Sequence, residues 1–316
     1  MSEPQKLMGV ILAAGKGTRM YPFSARYPKP LLPILGKPLL VHQVEMMAAV
    51  GITDILLVIG HLGHEVLREL GDGSAYGVKI EYVEQEETLG IAHALSQLEP
   101  QVDRPFFLLL GDIFFEFKRG SGLEVMADAL RSDRGTQGVL AVCEESDPEA
   151  IRRNFIVLCE GERVTRVIEK PRHPQVNVKG CGAYLFDVAI FDSVRRTPRT
   201  AMRDEYEITD SIQIFIDDGY RVEAANVVAR DLNLSYPSDL LDINLYVLDR
   251  TGESCFFGRD VEVHPDADLE RCVIMDRVKI EPGVRLRNCL VFPDVRLQGD
   301  LDRSRHIFTT EQWIQL

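Results

Sequence analysis

The sequence predicts an α/β protein built on a mostly parallel sheet with helices on both faces, followed by a shorter domain of different texture. Three features predict it. Strand-like and helix-like segments alternate from Leu7 to Val142, the apolar runs are short and often close on glycine, and helical periodicity disappears after about Gly252. Leu7–Ala13 reads as a buried strand ending in glycines. Leu39–Val50 carries apolar residues at 40, 41, 44, 47 and 48, a helical stripe that Gly51 can close. Ile55–Ile59 is a strand, Gly63–Leu70 a short helix, Val78–Val83 a strand, Gly90–Leu98 a helix, and Phe106–Leu110 a strand that runs into Gly111-Asp112. Leu123–Leu130 and Gly138–Val142 repeat the pattern. Ligands of such sheets sit beyond the carboxyl ends of the strands, where the Gly15 loop and Asp112 both fall.

From Asn154 the pattern turns to strands and tight turns. Phe155–Leu158 and Val164–Ile168, joined through Glu160-Gly161-Glu162, form a predicted hairpin. Tyr184–Phe186 and Val222–Val228 read as strands, and Ile208–Ile216 and Ser238–Leu248 as helices, the latter opened by Pro237. This places one domain over residues 1–250 and a second over 251–316. In the second, aliphatic residues recur near every sixth position (Val263, Leu269, Ile280, Leu286), which predicts a short parallel β-helix of three hexapeptides per coil. Cys255, Cys272 and Cys289 are close to one coil apart, so they either stack on one corner or are simply buried small side chains.

The 316 residues carry a net charge of −13. That balance speaks against nonspecific nucleic-acid binding, which needs clustered Lys and Arg. It leaves room for one phosphorylated small molecule in a local basic pocket. No apolar run is long enough for a membrane span, and the N-terminus lacks the layout of a signal peptide. The six cysteines form no CxxC pair and read as reduced, cytoplasmic thiols. His61 and His64 lie three apart, but no further Cys or His completes a metal site around them.

The most informative stretch is Leu12-Ala13-Ala14-Gly15-Lys16-Gly17-Thr18-Arg19-Met20, followed by Pro28-Lys29-Pro30-Leu31-Leu32-Pro33. A glycine loop after an apolar strand lets backbone N–H groups approach phosphate oxygens, and Arg19 and Lys29 add positive charge. The string is not a Walker A loop, because Val10 and Gly17 stand where glycine and Ser or Thr are required. Nor is it a dinucleotide fingerprint, because Met20 stands where a small residue is required.

Together with Lys37-Pro38-Leu39, this stretch resembles the signature of the sugar-1-phosphate nucleotidyltransferases, the nucleotide-sugar pyrophosphorylases. Further pieces resemble the family in the right order: Gln85 to Ala92 its base-reading segment, Leu110-Gly111-Asp112 its metal-binding strand end, Glu169-Lys170-Pro171 its EKP element, and Gly182–Asp187 the strand beneath the sugar. Glu207-Ile208-Thr209-Asp210 resembles the glucose-1-phosphate thymidylyl- and uridylyltransferase subgroup. The likeness covers roughly residues 8–250, and it implies a Rossmann-like fold with a left-handed β-helix tail.

The resemblance implies that a phosphate oxygen of a sugar 1-phosphate attacks the α-phosphorus of a nucleoside triphosphate, dTTP or UTP being favoured, and pyrophosphate leaves. It implies Mg2+ held by Asp112 and by Asn233 or Asp231, with Arg19, Lys29 and Asp112 catalytic. Leu12, Ala13, Ala14, Gly15, Gly17, Thr18, Gln85, Gly90 and Gly111 would bind the nucleotide. Glu169, Lys170, Gly182, Phe155 and Ile156 would bind the acceptor. A homo-oligomer is expected, with no membrane or nucleic-acid partner. The chain departs from its relatives in two places: Phe155-Ile156 replaces a usual Tyr-Gly, and the usual tryptophan before the second metal ligand is missing, Trp313 being the only one. Those departures leave open a non-sugar phosphate or phosphonate acceptor, and a regulatory paralogue without activity.

Overall fold

The computed structural model describes residues 6–118, 122–200 and 204–316. The leader reading of the N-terminus falls partly on residues 1–5, outside the described residues. The chain divides into two compact units. One comprises the chain to Lys16 with Gln43–Asp231, the other Gly17–His42 with Leu232–Leu316.

The first unit is built on a nine-stranded sheet. Its strands are β1 (Met8–Leu12), β4 (Asp54–Ile59), β5 (Lys79–Glu84), β6 (Phe106–Leu110), β8 (Thr136–Glu144), β9 (Phe155–Glu160), β10 (Arg163–Glu169), β11 (Val178–Phe186) and β12 (Arg221–Ala225), in the order β5-β4-β1-β6-β11-β8-β12-β10-β9. The four N-terminal strands are parallel. Beyond them the sheet is mixed, because β11 runs antiparallel to both β6 and β8, and β9 and β10 form the expected antiparallel hairpin. The expected mostly parallel sheet is therefore mixed, with parallel pairing not confined to its first half, since β12 lies parallel to β8. The tight turn between β9 and β10 makes that pair antiparallel, whereas β12, reached through a helix, lies parallel to β8.

Both faces of the sheet are covered. Val10, Leu56 and Leu108 form one register row and Ile11, Leu57 and Leu109 the next, and all six are buried. Successive side chains of a strand point to opposite faces, so burial of both rows requires cover on both sides. On the first face lie α3 (Ile91–Ser96), α6 (Ile190–Arg196) and α7 (Ile208–Asp217), which contribute Leu95, Ile190, Val194, Ile212 and Phe215 to the core. Opposite, Met47 of α1 (Leu39–Ala49) lies against β1 at Gly9, and α4 (Gly122–Arg131) packs with Leu123 and Met126 buried.

The expected single strand Val222–Val228 is two. β12 stays in the main sheet, a tight turn with Val227 N–H donating to the Ala225 carbonyl intervenes, and β13 (Val228–Asn233) pairs instead with β7 (Ile113–Phe117). Hydropathy does not show that turn, since Ala225 and Val227 on either side of Asn226 are both apolar.

In the second unit, the hairpin of β2 (Pro33–Ile34) and β3 (Lys37–Pro38) is held by Asn244 of α8 (Pro237–Thr251). The buried Asn244 amide donates to the Pro33 carbonyl at 2.9 Å and accepts from Leu35 N–H at 2.8 Å. The tail strands form three parallel ladders, one of which ends in a strand over Trp313–Gln315 that pairs antiparallel. Each residue pairs with the one 17 positions later, as in Phe256↔Val273↔Leu290↔Ile307 and Val263↔Ile280↔Leu297. The repeat is thus 17 residues rather than 18: buried positions advance by six, five and six, from Val278 to Val284, Cys289 and Val295. Cys255, Cys272 and Cys289 do stack, with Cys272 N–H donating to Cys255 Sγ at 3.4 Å, and all six cysteines are free. The tail packs on α8 through Arg271–Asp249 and Arg305–Asp242 ion pairs, and on the Gly17–His42 arm through Phe292 stacked on Phe23 at 5.6 Å.

Candidate active site

Three strand ends meet tightly at one edge of the first unit. Gly111 N–H donates to the Leu12 carbonyl at 2.9 Å, and Ala13 N–H to the Val58 carbonyl at 2.8 Å. The approach is close enough that a Cβ at Gly60 or Gly111 would lie 2.7–2.8 Å from a carbonyl oxygen, of Ala14 or Leu12 respectively. Glycine is required at both positions by backbone contact. At Gly15 the opposite holds: apart from its chain neighbours, no atom of the described residues lies within 4 Å of where its Cβ would be. Packing does not impose glycine there. Leu12, Ala13 and Ala14 are mostly buried beneath this exposed residue.

Asp112 occupies the turn between β6 and β7, half-buried. A residue the sequence reading passed over anchors this turn. Gln43, only 1% exposed, donates both amide hydrogens across it, to the carbonyls of Leu110 and Ile113, each at 2.8 Å. These carbonyls flank Gly111-Asp112, so the Gln43 amide fixes the path of the loop that presents Asp112. A lone polar residue inside an otherwise apolar helical stripe was the available signal.

Gln85 is buried just after β5, its N–H donating to the Ile59 carbonyl at 2.8 Å. Gly90 (φ +106°) opens α3, and Tyr206 N–H and carbonyl pair with Leu89 and Ala92 on either side of it. Tyr206 also stacks on His93 at 6.0 Å. The expected acceptor residues fall into two groups. Glu169 and Lys170 form an ion pair at 3.3 Å, Thr209 Oγ1 donates to Glu169 Oε2 at 3.3 Å, and Glu207 and Asp210 lie at the start of the same helix. Burial, then the charge of Glu207, pushes the Asp210 carboxyl up. Phe155 and Ile156, by contrast, are buried: the Phe155 ring stacks on Tyr184 within the core. Gly182 lies at the irregularity where β11 loses register with β8.

Asp231 is committed elsewhere in this unit. Its buried carboxylate holds the buried Lys179 ammonium at 2.6 Å. Burial works against the charge on Lys179, yet the charge and hydrogen bond of Asp231 outweigh it and its pKa lies above the ordinary value; burial also raises Asp231.

The second unit carries the cations of the glycine-rich arm. Gly17 (φ +60°) sits against the Lys29 side chain, and Lys29, 9% exposed, opens a single 3-10 turn. Thr18 opens another, and Arg19 follows with its guanidinium 5.3 Å from the ring centroid of Tyr236. Tyr236 is itself the cap of α8, where Asp239 accepts its N–H at 2.7 Å. Asn233, at the end of β13, is exposed.

A glycine loop at the end of a parallel strand, an aspartate turn on the neighbouring strand and a mixed sheet define a class of nucleotide-transferring α/β proteins. The chain belongs to the nucleotidyl transferase family, whose model matches residues 8–245. It is 34% identical over 245 residues to the low-salt glycan biosynthesis nucleotidyltransferase Agl11 of Haloferax volcanii, spanning 66% of that protein with 77% of its own length. It is also 34% identical to the UTP–glucose-1-phosphate uridylyltransferase AglF of the same organism, with 74% of this chain matching 93% of that one. A solved Bacillus anthracis protein assigned as a glucose-1-phosphate thymidylyltransferase, in complex with sucrose, superposes with a TM-score of 0.66 at 26% identity, over 77% of this chain and 96% of that one.

Proposed function

We propose that the protein condenses a nucleoside triphosphate, dTTP or UTP, with a sugar 1-phosphate, giving a nucleotide-sugar and pyrophosphate. The observation that carries this reading is the strand-end junction, where Gly111 N–H meets the Leu12 carbonyl at 2.9 Å and sets the glycine loop beside the Asp112 turn. The names of the relatives support glucose 1-phosphate as the first acceptor to try. In this reading the backbone of Leu12–Gly15, Gly17 and Thr18 binds phosphate oxygens, and Gln85 with the backbone at Gly90 and Gly111 binds the base and sugar of the nucleotide. Arg19 steadies the leaving pyrophosphate. Lys29 offsets charge that develops on the α-phosphate. Lys170 holds the acceptor phosphate and Glu169 accepts hydrogen bonds from sugar hydroxyls, with Gly182 letting the backbone approach. Phe155 and Ile156 form the packed floor of that half.

The oxygen donors that the resemblance assigns to the metal are of the kind a hard divalent ion takes. Asp112 offers a carboxylate and Asn233 an amide oxygen, and Asn233 is assigned over Asp231 because Asn233 is exposed whereas the Asp231 carboxylate is buried. Mg2+, when bound, neutralises charge on the phosphate oxygens. We further infer that the three ladders of the tail form a short left-handed β-helix, and that the protein works in the cytoplasm as a homo-oligomer. No helix among the described residues is long and apolar enough to cross a membrane, and the free thiols suit a reducing compartment.

The test is pyrophosphate release from each nucleoside triphosphate, with Mg2+ and a panel of sugar 1-phosphates and simple phosphonates. Release with dTTP or UTP and a sugar 1-phosphate is expected. Release only with a phosphonate overturns the acceptor, and tight nucleotide binding without release overturns the enzyme reading.

A further inference from the structure

Within the first unit lies a buried cluster that the function proposed above, with Asn233 as the second Mg2+ ligand, leaves without a role. Cys143 of β8, Cys181 of β11 and Asp231 of β13 bring two thiol sulfurs and a carboxylate oxygen within 4.8 Å of one another. Among the described residues no other three His, Cys, Asp or Glu side chains converge this closely. Cys143 and Cys181 are 5% and 0% exposed, and the Asp231 side chain is 3% exposed. The two carboxylate oxygens of Asp231 are not equivalent. Oδ1 accepts from Lys179 Nζ at 2.6 Å, whereas the buried Oδ2 has no hydrogen-bond partner among the described residues. A buried carboxylate oxygen without a donor is uncommon and calls for an account.

We propose that Cys143, Cys181 and Asp231 form a binding site for a thiophilic divalent cation, zinc by the chemistry of its donors. Sulfur and carboxylate oxygen are the ligand types zinc takes, and a tetrahedral ion with Zn–S and Zn–O bonds of about 2.3 and 2.0 Å sets its donors roughly 3.5–3.8 Å apart. The cluster reaches that spacing by contracting about one ångström. Each thiol yields its proton to the solvent buffer as its sulfur bonds the metal. Two thiolates, a carboxylate and the dication carry one net negative charge, and the Lys179 ammonium cancels it. Lys179 then stands where outer-shell donors stand in metal sites, fixing the ligating carboxylate through its other oxygen. The ion ties β13 to two neighbouring strands of the main sheet, β8 and β11.

The reduced full chain, freed of metal, is titrated with Co2+ alone and then with Zn2+. One Co2+ per chain is expected, with a near-ultraviolet thiolate charge-transfer band and tetrahedral visible bands that Zn2+ removes. Cys143→Ser and Cys181→Ser should abolish the band, and Lys179→Met should weaken affinity by about 10–100-fold. Cys159→Ser and Cys255→Ser should change nothing. Absence of a saturable thiolate band in the folded wild-type chain overturns the proposal whatever the variants do. So does a band that survives loss of both Cys143 and Cys181.

Discussion

Replacing Gln43 by Met tests whether the Asp112 turn is held from outside the turn. Methionine has nearly the same volume and fits an apolar helix, so the substitution isolates the amide. It removes two hydrogen bonds of 2.8 Å to the Leu110 and Ile113 carbonyls. Leaving buried acceptors without donors costs about 1–3 kcal/mol each. Part of this is offset, because the wild-type Gln43 Oε1 is itself buried without a partner and disappears with the amide. A net loss of about 2–3 kcal/mol is therefore expected, read by urea denaturation with an unchanged m-value. The functional effect should be larger than a general loss of stability explains. A displacement of about 1 Å in a positioned group can cost on the order of a hundredfold in rate. Turnover should fall about 10–100-fold at a temperature where the variant is fully folded, with a smaller change in KM for the nucleotide. Wild-type stability and wild-type kcat in Gln43→Met would refute the reasoning. Loss of stability with unchanged kcat would show that Asp112 does not depend on this turn.

Asp112→Ala should lower turnover by roughly a thousandfold, as expected for loss of several kcal/mol of charge stabilisation, measured as pyrophosphate release at saturating substrates. Gly90→Ala should destabilise the protein by about 1–3 kcal/mol in thermal unfolding, since φ is +106° and the new Cβ would lie 2.5 Å from the Tyr206 carbonyl oxygen; an unchanged midpoint would contradict that geometry. Lys179→Met and Asp231→Leu should each cost about 3–5 kcal/mol, and the double variant clearly less than their sum, because each single change strands a buried charge; strict additivity would contradict the pairing. In the tail, the backbone N–H of Arg259 lowers the Asp276 carboxyl and Arg277 lowers Asp294, and tail residue Arg271 lowers Asp249 of α8. Carboxyls whose folded pKa lies below the unfolded value of about 3.9 contribute stability above that pH and lose it as pH falls through the folded values. Hydrogen-exchange protection of the tail strands in the full chain should accordingly drop below about pH 4; protection that increases there would reverse the sign.

The elements that a local pattern could define were legible from the amino acids. Phe106–Leu110 and Gly63–Leu70 match their expected bounds, one an uninterrupted apolar run ending at Gly111, the other an amphipathic turn pair closed by Gly71. The Gly15 loop was legible for a related reason: glycine and cation are specified by adjacent residues. What stayed hidden depends on partners distant in sequence. Gln43 acts on carbonyls 67 and 70 residues away, and Lys179 meets Asp231 across 52. Gln43 shows locally only as a polar residue in an apolar stripe, and neither it nor Lys179 reveals its partner in any window of hydropathy. The tail's 17-residue step was legible in the spacing of Cys255, Cys272 and Cys289, but the six-residue period drawn from its aliphatic residues pointed to 18. Phe155 and Ile156 show the same limit: bulk was readable, but whether it faced a pocket or the core was not.

The central claim is tested most directly by the identity of the product. The chain is incubated with UTP or dTTP, Mg2+ and glucose 1-phosphate, and the mixture is resolved by mass spectrometry. A nucleoside diphosphate-glucose formed in equal amount to pyrophosphate, and lost with Asp112→Ala, is the predicted result. Nucleotide hydrolysis without a sugar-linked product, or product that persists undiminished in Asp112→Ala, would contradict the account.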